Sequence, residues 1–132
     1  MDYVVIGGTA YDVIVKSVSE KFDILHSDNA GRTTGIGSKM TLDPLGAFIG
    51  HKVTFYRKEG QEALYDRLFN DLLTPRYNGL HITVPHDQGV ISYDAYVSTG
   101  ERAVQRIDKK TGKTYWGEFS VQFTPMEAQV TA

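Results

Sequence analysis

Residues 61–73 read QEALYDRLFNDLL, and their apolar side chains recur at four-residue spacing at Leu64, Leu68 and Leu72, beside Tyr65, Phe69 and Leu73. This spacing places them in one wide stripe along an α-helix. Glu62 complements the positive start of such a helix, and Pro75 follows its end. The pattern therefore predicts a helix over 61–73 that packs on a sheet through Leu64, Leu68, Phe69 and Leu72.

On the N-terminal side of this helix the apolar residues follow a strand period instead. Residues 3–6 are β-branched or aromatic and end at Gly7-Gly8, which predicts a short strand and a turn. A second β-prone stretch covers 12–27, and its alternation slips near Val15, which indicates a bulge or bend. Residues 51–58 alternate with Val53 and Phe55 on one face, as in a half-buried strand.

The C-terminal half predicts two β-hairpins. In the first, residues 80–84 and 91–97 alternate on either side of a turn at 85–89. In the second, residues 103–107 and 115–124 flank a turn at 109–112. Ser98-Thr99-Gly100 is interpreted as the end of the strand at 91–97, which belongs to the first hairpin. Strands and helices do not alternate along the chain, so we expect a mainly β (α+β) fold. This is an antiparallel sandwich or barrel flanked by one central helix, with residues 1–132 as a single domain.

Residues 28–50 differ in character, because five glycines are interspersed with apolar side chains. Asp43-Pro44-Leu45-Gly46 matches a type I turn, so the segment is interpreted as a long hairpin arm. Its apolar residues need a partner that so glycine-rich a segment cannot provide. We therefore expect contacts between subunits at Met40, Leu42, Leu45, Phe48 and Ile49, together with an aromatic seam at Tyr115 and Trp116.

Composition excludes several classes of function. The net charge is −2, with no long basic block, which disfavours nucleic-acid binding by a cationic surface. The chain has no cysteine, so it has no disulfide, thiolate metal site or cysteine nucleophile. No apolar run approaches the length of a membrane span and no secretory signal is recognisable, so we expect a soluble protein made in the cytosol.

No catalytic or cofactor-binding pattern is present. Residues 4–8 resemble the first strand and glycine turn of nucleotide-binding proteins, but the chain continues with β-prone residues where a helix should start. Residues 31–39 have the composition of a phosphate-binding loop without its Gly-Lys-Ser order. The histidines at 26, 51, 81 and 86 lack helical metal-site spacing. We expect no enzyme activity, no cofactor and no metal.

Three stretches resemble a known family of proteins. They are residues 65–75, beginning Tyr-Asp-Arg-Leu-Phe; residues 81–89, His-Ile-Thr-Val-Pro-His-Asp-Gln-Gly; and residues 115–127, beginning Tyr-Trp-Gly-Glu-Phe. They are similar to small tail proteins from prophages of Gram-positive bacteria with long, non-contractile tails. The likeness covers about residues 12–129. The order of elements is also similar to the fold shared by phage tail-tube proteins, distal-tail ring domains and the type VI secretion tube.

The resemblance implies a ring subunit. Members of those families form a β-sandwich or barrel flanked by one helix, assemble as hexameric rings and reach neighbouring rings with a long hairpin. It implies that residues 28–50 are the inter-ring arm, that the partners are other copies and other tail or baseplate proteins, and that DNA passes through the lumen as non-specific cargo. Major tube proteins are commonly longer, so a distal-tail or baseplate-hub component fits as well as the tube.

Two other functions stay open at this point. The chain could be a small ligand- or partner-binding regulatory module that uses the glycine-rich 28–50 loop, in which case it should be a monomer with a pocket. A remote third interpretation is a nucleotide-dependent enzyme fragment beginning at residues 4–8. The preferred hypothesis is a structural protein of the virion tail.

Overall fold

The computed structural model describes residues 4–9, 11–26, 31–32 and 40–131. Nine strands and one helix lie in these ranges. In chain order they are β1 (Val5–Ile6), β2 (Ile14–His26), β3 (Gly31–Arg32), β4 (Met40–Thr41), β5 (Pro44–Tyr56), α1 (Glu62–Leu73), β6 (Leu80–His86), β7 (Gly89–Ile107), β8 (Thr114–Pro125) and β9 (Val130–Thr131).

Seven strands form one antiparallel sheet. Its order is β1-β6-β7-β8-β5-β2, and β9 adds to β5 at the end that β8 does not cover. The short β3 and β4 pair with each other as a separate two-stranded sheet. The prediction of a mainly β fold with antiparallel pairing and one helix is confirmed for the described residues.

The helix packs on the face of the sheet that carries the core. Tyr65, Leu68 and Leu72 are buried, and they belong to one cluster with buried residues of β5, β6, β7 and β8. Phe69 packs against this cluster from its edge, whereas Leu64 is half-buried. Helix packing through Leu68, Leu72 and Phe69 is therefore confirmed, and Tyr65 takes the buried position at the N-terminal end.

The first turn follows from two glycines. Gly7 and Gly8 have φ angles of 59° and 81°, and Ile6 and Thr9 exchange two backbone hydrogen bonds across them. Two successive positive φ angles are typical of a type I′ hairpin turn, which glycine adopts without steric cost. The predicted strand and turn at the N-terminus are confirmed.

The predicted break after residue 97 is wrong. Ser98-Thr99-Gly100 do not end a strand, because β7 runs without interruption from Gly89 to Ile107. Register shifts against β8 between Val97 and Thr99, and again after Arg102, interrupt the alternation without ending the strand. Bulges therefore produced a pattern that resembled two strands in the sequence.

The predicted turn at Asp43-Pro44-Leu45-Gly46 is also wrong, since Pro44 begins β5 and Leu45 and Gly46 lie within it. β5 pairs with β2 from His26 opposite Pro44 to Ile14 opposite Tyr56. The slip expected near Val15 is confirmed as a register shift between Val15 and Ser17. A long hairpin arm exists, but β2 and β5 form it, and residues 28–30 and 33–39 of the predicted arm lie outside the described residues.

Candidate assembly surface

The row of side chains that forms the core continues beyond the core. On β5 the buried residues His51, Val53 and Phe55 share one face, and Ile49 and Ala47 continue the same alternation. Their partners on β2 are Val18 opposite Val53, Glu20 opposite His51, Phe22 opposite Ile49 and Ile24 opposite Ala47. Opposed residues of antiparallel strands lie on the same face of the sheet, so the two strands carry one continuous row.

The distal part of this row is uncovered. We call residues 22–26 and 44–49 the arm, and Phe22, Ile24, Ala47 and Ile49 the arm row. Phe22 is 68% exposed and Ile24 is 53% exposed, and Ala47 and Ile49 are half-buried. None of the four belongs to the core cluster or packs against it. A contiguous apolar patch of this kind on a folded chain is typical of an interaction surface.

A polar network marks the boundary between the core and the arm row. The fully buried His51 contacts Glu20 of β2 through Nε2, at 2.9 Å, and the hydroxyl of Tyr93 of β7 through Nδ1, at 2.7 Å. His86, at the end of β6, contacts the same Glu20 oxygen through Nδ1 at 2.6 Å. The network therefore ties the base of the arm to β6 and β7, on the far side of the core.

Charges within the network follow from burial and hydrogen bonding. Burial lowers the pKa of His51, so this imidazole is neutral, and burial raises the pKa of Tyr93, so its hydroxyl keeps its proton. His51 then donates from Nε2 to Glu20 and accepts the Tyr93 hydroxyl at Nδ1. Hydrogen bonding to His86 lowers the pKa of Glu20, and the same bond raises the pKa of His86.

These shifts predict a pH-dependent role for His86. A raised pKa in the folded state means that the stabilisation is complete below the ordinary value of 6.5 and is lost as the pH rises through the folded value. We expect the destabilisation caused by His86→Asn to be larger at about pH 5.5 than at about pH 9, measured as the difference in urea midpoint from the parent chain. An equal penalty at both pH values would show that the His86–Glu20 contact does not exist in solution.

The two edges of the arm differ. On the edge facing away from β2, the Gln129 side chain accepts from the Ile49 amide at 3.0 Å and donates to the Ile49 carbonyl at 2.8 Å. β9 then pairs with Gly46 and Ala47. On the other side, β2 is the last strand of the sheet, and no described strand pairs with its outer edge.

Aromatic and cationic residues form a second cluster at the opposite end of β8. The guanidinium of Arg102 lies over the rings of Phe69 and Trp116, at 3.8 and 4.0 Å from their centroids, and donates to Asp66 at 3.0 Å. Tyr115 is flanked by Arg106 and Lys113. Cation–π contacts of this kind stabilise a partly desolvated arginine. Within the chain, they hold Trp116 against α1.

The predicted contact residues lie at two separate places. Leu42, just before the arm, is 62% exposed, and Leu45, within the arm, is 57% exposed. Phe48 and Ile49 are half-buried on opposite faces of the arm. Met40 lies in β4, and its side chain is outside the described part of the structure. Tyr115 and Trp116 are half-buried in the aromatic and cationic cluster at the opposite end of β8, Trp116 beside Arg102 and Tyr115 beside Arg106 and Lys113. Their role between subunits stays a prediction.

Sequence reasoning missed two exposed apolar residues of the arm, Phe22 and Ile24, and the polar network beneath them. Phe22 and Ile24 were assigned to a strand but not to a contact surface, and His51, which is fully buried, was considered only as a metal ligand and not as part of the core. The one available signal was its position two residues before Val53, on the buried face of the alternating strand. His81, by contrast, is exposed and contacts Asp94 at 3.0 Å.

No family model and no curated protein matches the chain. Geometry and chemistry therefore carry the assignment. Within residues 4–9, 11–26, 31–32 and 40–131, no three histidine, aspartate or glutamate side chains are arranged to hold a metal ion. The helix among these residues is too short and too polar to cross a membrane.

Proposed function

We propose that the chain is a virion structural protein, a ring-forming subunit of a phage tail, in the tail-tube, distal-tail or baseplate-hub position. The arm row carries this proposal. It lies on the face that forms the core, extends beyond the residues that α1 and β7 cover, and keeps Phe22 and Ile24 in solvent. Association with another subunit would bury these side chains. Each Å² of apolar surface removed from water would stabilise the complex by about 25 cal/mol.

In this proposal, identical copies meet through different patches, since a ring requires a heterologous contact whose rotation closes. The arm row of one copy contacts a neighbouring subunit, and six copies enclose a channel through which DNA passes without sequence-specific contacts. Other tail or baseplate proteins bind the ends of the ring. The protein acts in the virion tail after synthesis in the bacterial cytoplasm.

The construction of the arm supports such a role. β2 and β5 are thirteen residues long and form twelve residue pairs with each other, and the network of Glu20, His51 and His86 fixes the base of this hairpin. An arm held in one direction loses less conformational entropy on assembly than a free loop does. The regulatory-module alternative depends on a pocket in the 28–50 loop, of which residues 28–30 and 33–39 lie outside the described ranges.

Molar mass by light scattering tests the proposal. We expect the parent chain to form a species of about six times its mass of 14.7 kDa. The double variant Phe22→Ser/Ile24→Ser should keep its far-ultraviolet circular dichroism and lose the ring, because it removes apolar contact without touching the core. A monomeric parent chain, or a ring that survives this substitution, would refute the proposal.

Removing the arm gives a second test. In the variant, Asn-Gly replaces residues 22–49, which joins Lys21 to Gly50, its partner across the hairpin. None of the residues of this segment that the structure describes belongs to the core cluster, so we expect a folded monomer. If the deletion unfolds the chain, the arm is part of the folding unit rather than an assembly device. The serine variant shows separately whether assembly needs the arm row.

A further inference from the structure

The outer edge of β2 is a regular, unpaired strand edge. From Ser17 to Leu25, β2 keeps an unbroken register with β5, and among the described residues nothing pairs with its other side. The bulge between Val15 and Ser17 disrupts only the proximal end. Proline, a common protection of edges, is absent from this stretch, and an edge strand of this length readily accepts another strand.

Two opposite charges lie on this edge strand, on the face opposite to the arm row. Lys21 and Asp23 are exposed and are two residues apart, so both side chains point to the same face. Neither side chain has an ion-pair partner among the described residues, because the ion pairs of this part of the chain are formed by other side chains. Phe22, between them, points to the arm-row face.

We propose that two copies of this chain pair through their β2 edges, antiparallel, about a two-fold axis at Phe22. Phe22 then lies opposite Phe22 of the second copy, and Lys21 lies opposite Asp23 twice, once on each side of the axis. Ser19 lies opposite Leu25, and Glu20 opposite Ile24. Aromatic and opposite-charge pairs at directly opposed positions are the contacts that stabilise antiparallel strands.

The charges select this register over its neighbours. An axis at Lys21 opposes two lysines, an axis at Asp23 opposes two aspartates, and an axis at Glu20 opposes two glutamates, all of which are unfavourable. Registers with the axis between two residues would place the apolar face of one copy beside the polar face of the other, because successive side chains alternate between faces. The axis at Phe22 avoids both defects.

Glu20 fits the same register. Its carboxylate is held by His51 and His86 of its own chain, so it turns toward the body and away from the incoming strand. Ile24 of the second copy therefore contacts the methylene groups of the Glu20 side chain. The partner of this edge is a second copy of the chain, because β2 itself carries both Lys21 and Asp23, which form the two opposite-charge pairs. This pairing does not depend on the proposed ring, in which it would join two rings face to face.

Cysteine crosslinking tests the position of the axis, and the natural absence of cysteine makes the experiment clean. Opposed residues have Cα atoms about 4.5–5.5 Å apart, within reach of a disulfide. Phe22→Cys should therefore give a covalent dimer under mild oxidation. In the control Ser19→Cys, the two sulfur-bearing residues lie about 20 Å apart along the pair. Equal yields from the two folded variants would overturn the proposal.

Charge substitution tests the register without touching the arm row. Lys21→Asp or Asp23→Lys opposes like charges at two places, and each should raise the dimer dissociation constant by at least about fivefold in sedimentation equilibrium. The double variant Lys21→Asp/Asp23→Lys restores both pairs and should return to within about twofold of the parent chain. Lys52→Asp, one strand inward on the same face, is the matched control and should have no effect.

A double variant as weak as the single variants would refute the register, and so would single variants that bind as tightly as the parent chain. These outcomes are separate from the ring test. Loss of the ring in Phe22→Ser/Ile24→Ser concerns the arm row, whereas the charge variants change only the edge of the strand. If the chain dimerises and the charge variants change the dissociation constant as expected, but no ring forms, this inference is supported and the proposed function is refuted.

Discussion

Phe119→Ala should lower the free energy of unfolding by about 3–5 kcal/mol, the largest effect we expect from any single substitution in the chain. Phe119 is fully buried at the centre of the core. Its ring stacks on Phe55 at 5.5 Å and meets the edges or faces of Tyr65 and Phe69 at 6.1 and 5.0 Å. Truncation removes all three aromatic contacts and leaves a cavity that rigid neighbouring strands cannot fill.

The matched control is Phe22→Ala, which removes the same atoms from a ring that is 68% exposed. We expect a change of less than about 0.5 kcal/mol in the urea-derived free energy of unfolding, measured at a concentration where the chain does not associate. If both substitutions destabilise the chain equally, the arm row is covered within a single subunit. If neither does, Phe119 is not at the centre of the core.

Local periodicity predicted the elements that depend on local contacts. The spacing of Leu64, Leu68 and Leu72 was sufficient to place α1 within one residue of its observed start, because a helix face is defined by neighbours three or four residues apart. The hairpin of β6 and β7 was equally readable from alternation and a short turn. These parts of the fold need no information from distant residues.

The alternation of apolar and polar residues along a strand does not show at which residue the apolar face ceases to be buried. Val53 and Ile49 occupy the same face of β5, yet only Val53 is buried, because it belongs to the core cluster that residues of α1, β6 and β7 complete, and Ile49 lies beyond that cluster. The exposure of the arm row is decided by tertiary packing. For the same reason, the glycines predicted an arm at 28–50, and the exposed strand residues Phe22 and Ile24 were not predicted as part of it.

The polar network could not be predicted for a different reason. Glu20 and His51 are 31 residues apart, and Glu20 and His86 are 66 residues apart, so only the paired strands and the sheet order bring them together. A histidine within an alternating strand fits either face until its partner is known. Burial of His51 is tolerated because both ring nitrogens have hydrogen-bond partners, which offsets the desolvation of the imidazole.

Leu68→Ala should destabilise the chain by about 2–5 kcal/mol, because the side chain is fully buried between α1 and the sheet. Leu73→Ala on the same helix is the matched control. That leucine is 55% exposed, and alanine is a better helix former, so we expect a change within about 0.5 kcal/mol. Urea unfolding followed by circular dichroism gives both values. The difference between them measures how much of the fold depends on packing α1 against the sheet. If Leu68→Ala lowers the free energy of unfolding no more than Leu73→Ala does, the helix does not cover the core in solution. The distinction between covered core residues and the exposed arm row would then be wrong.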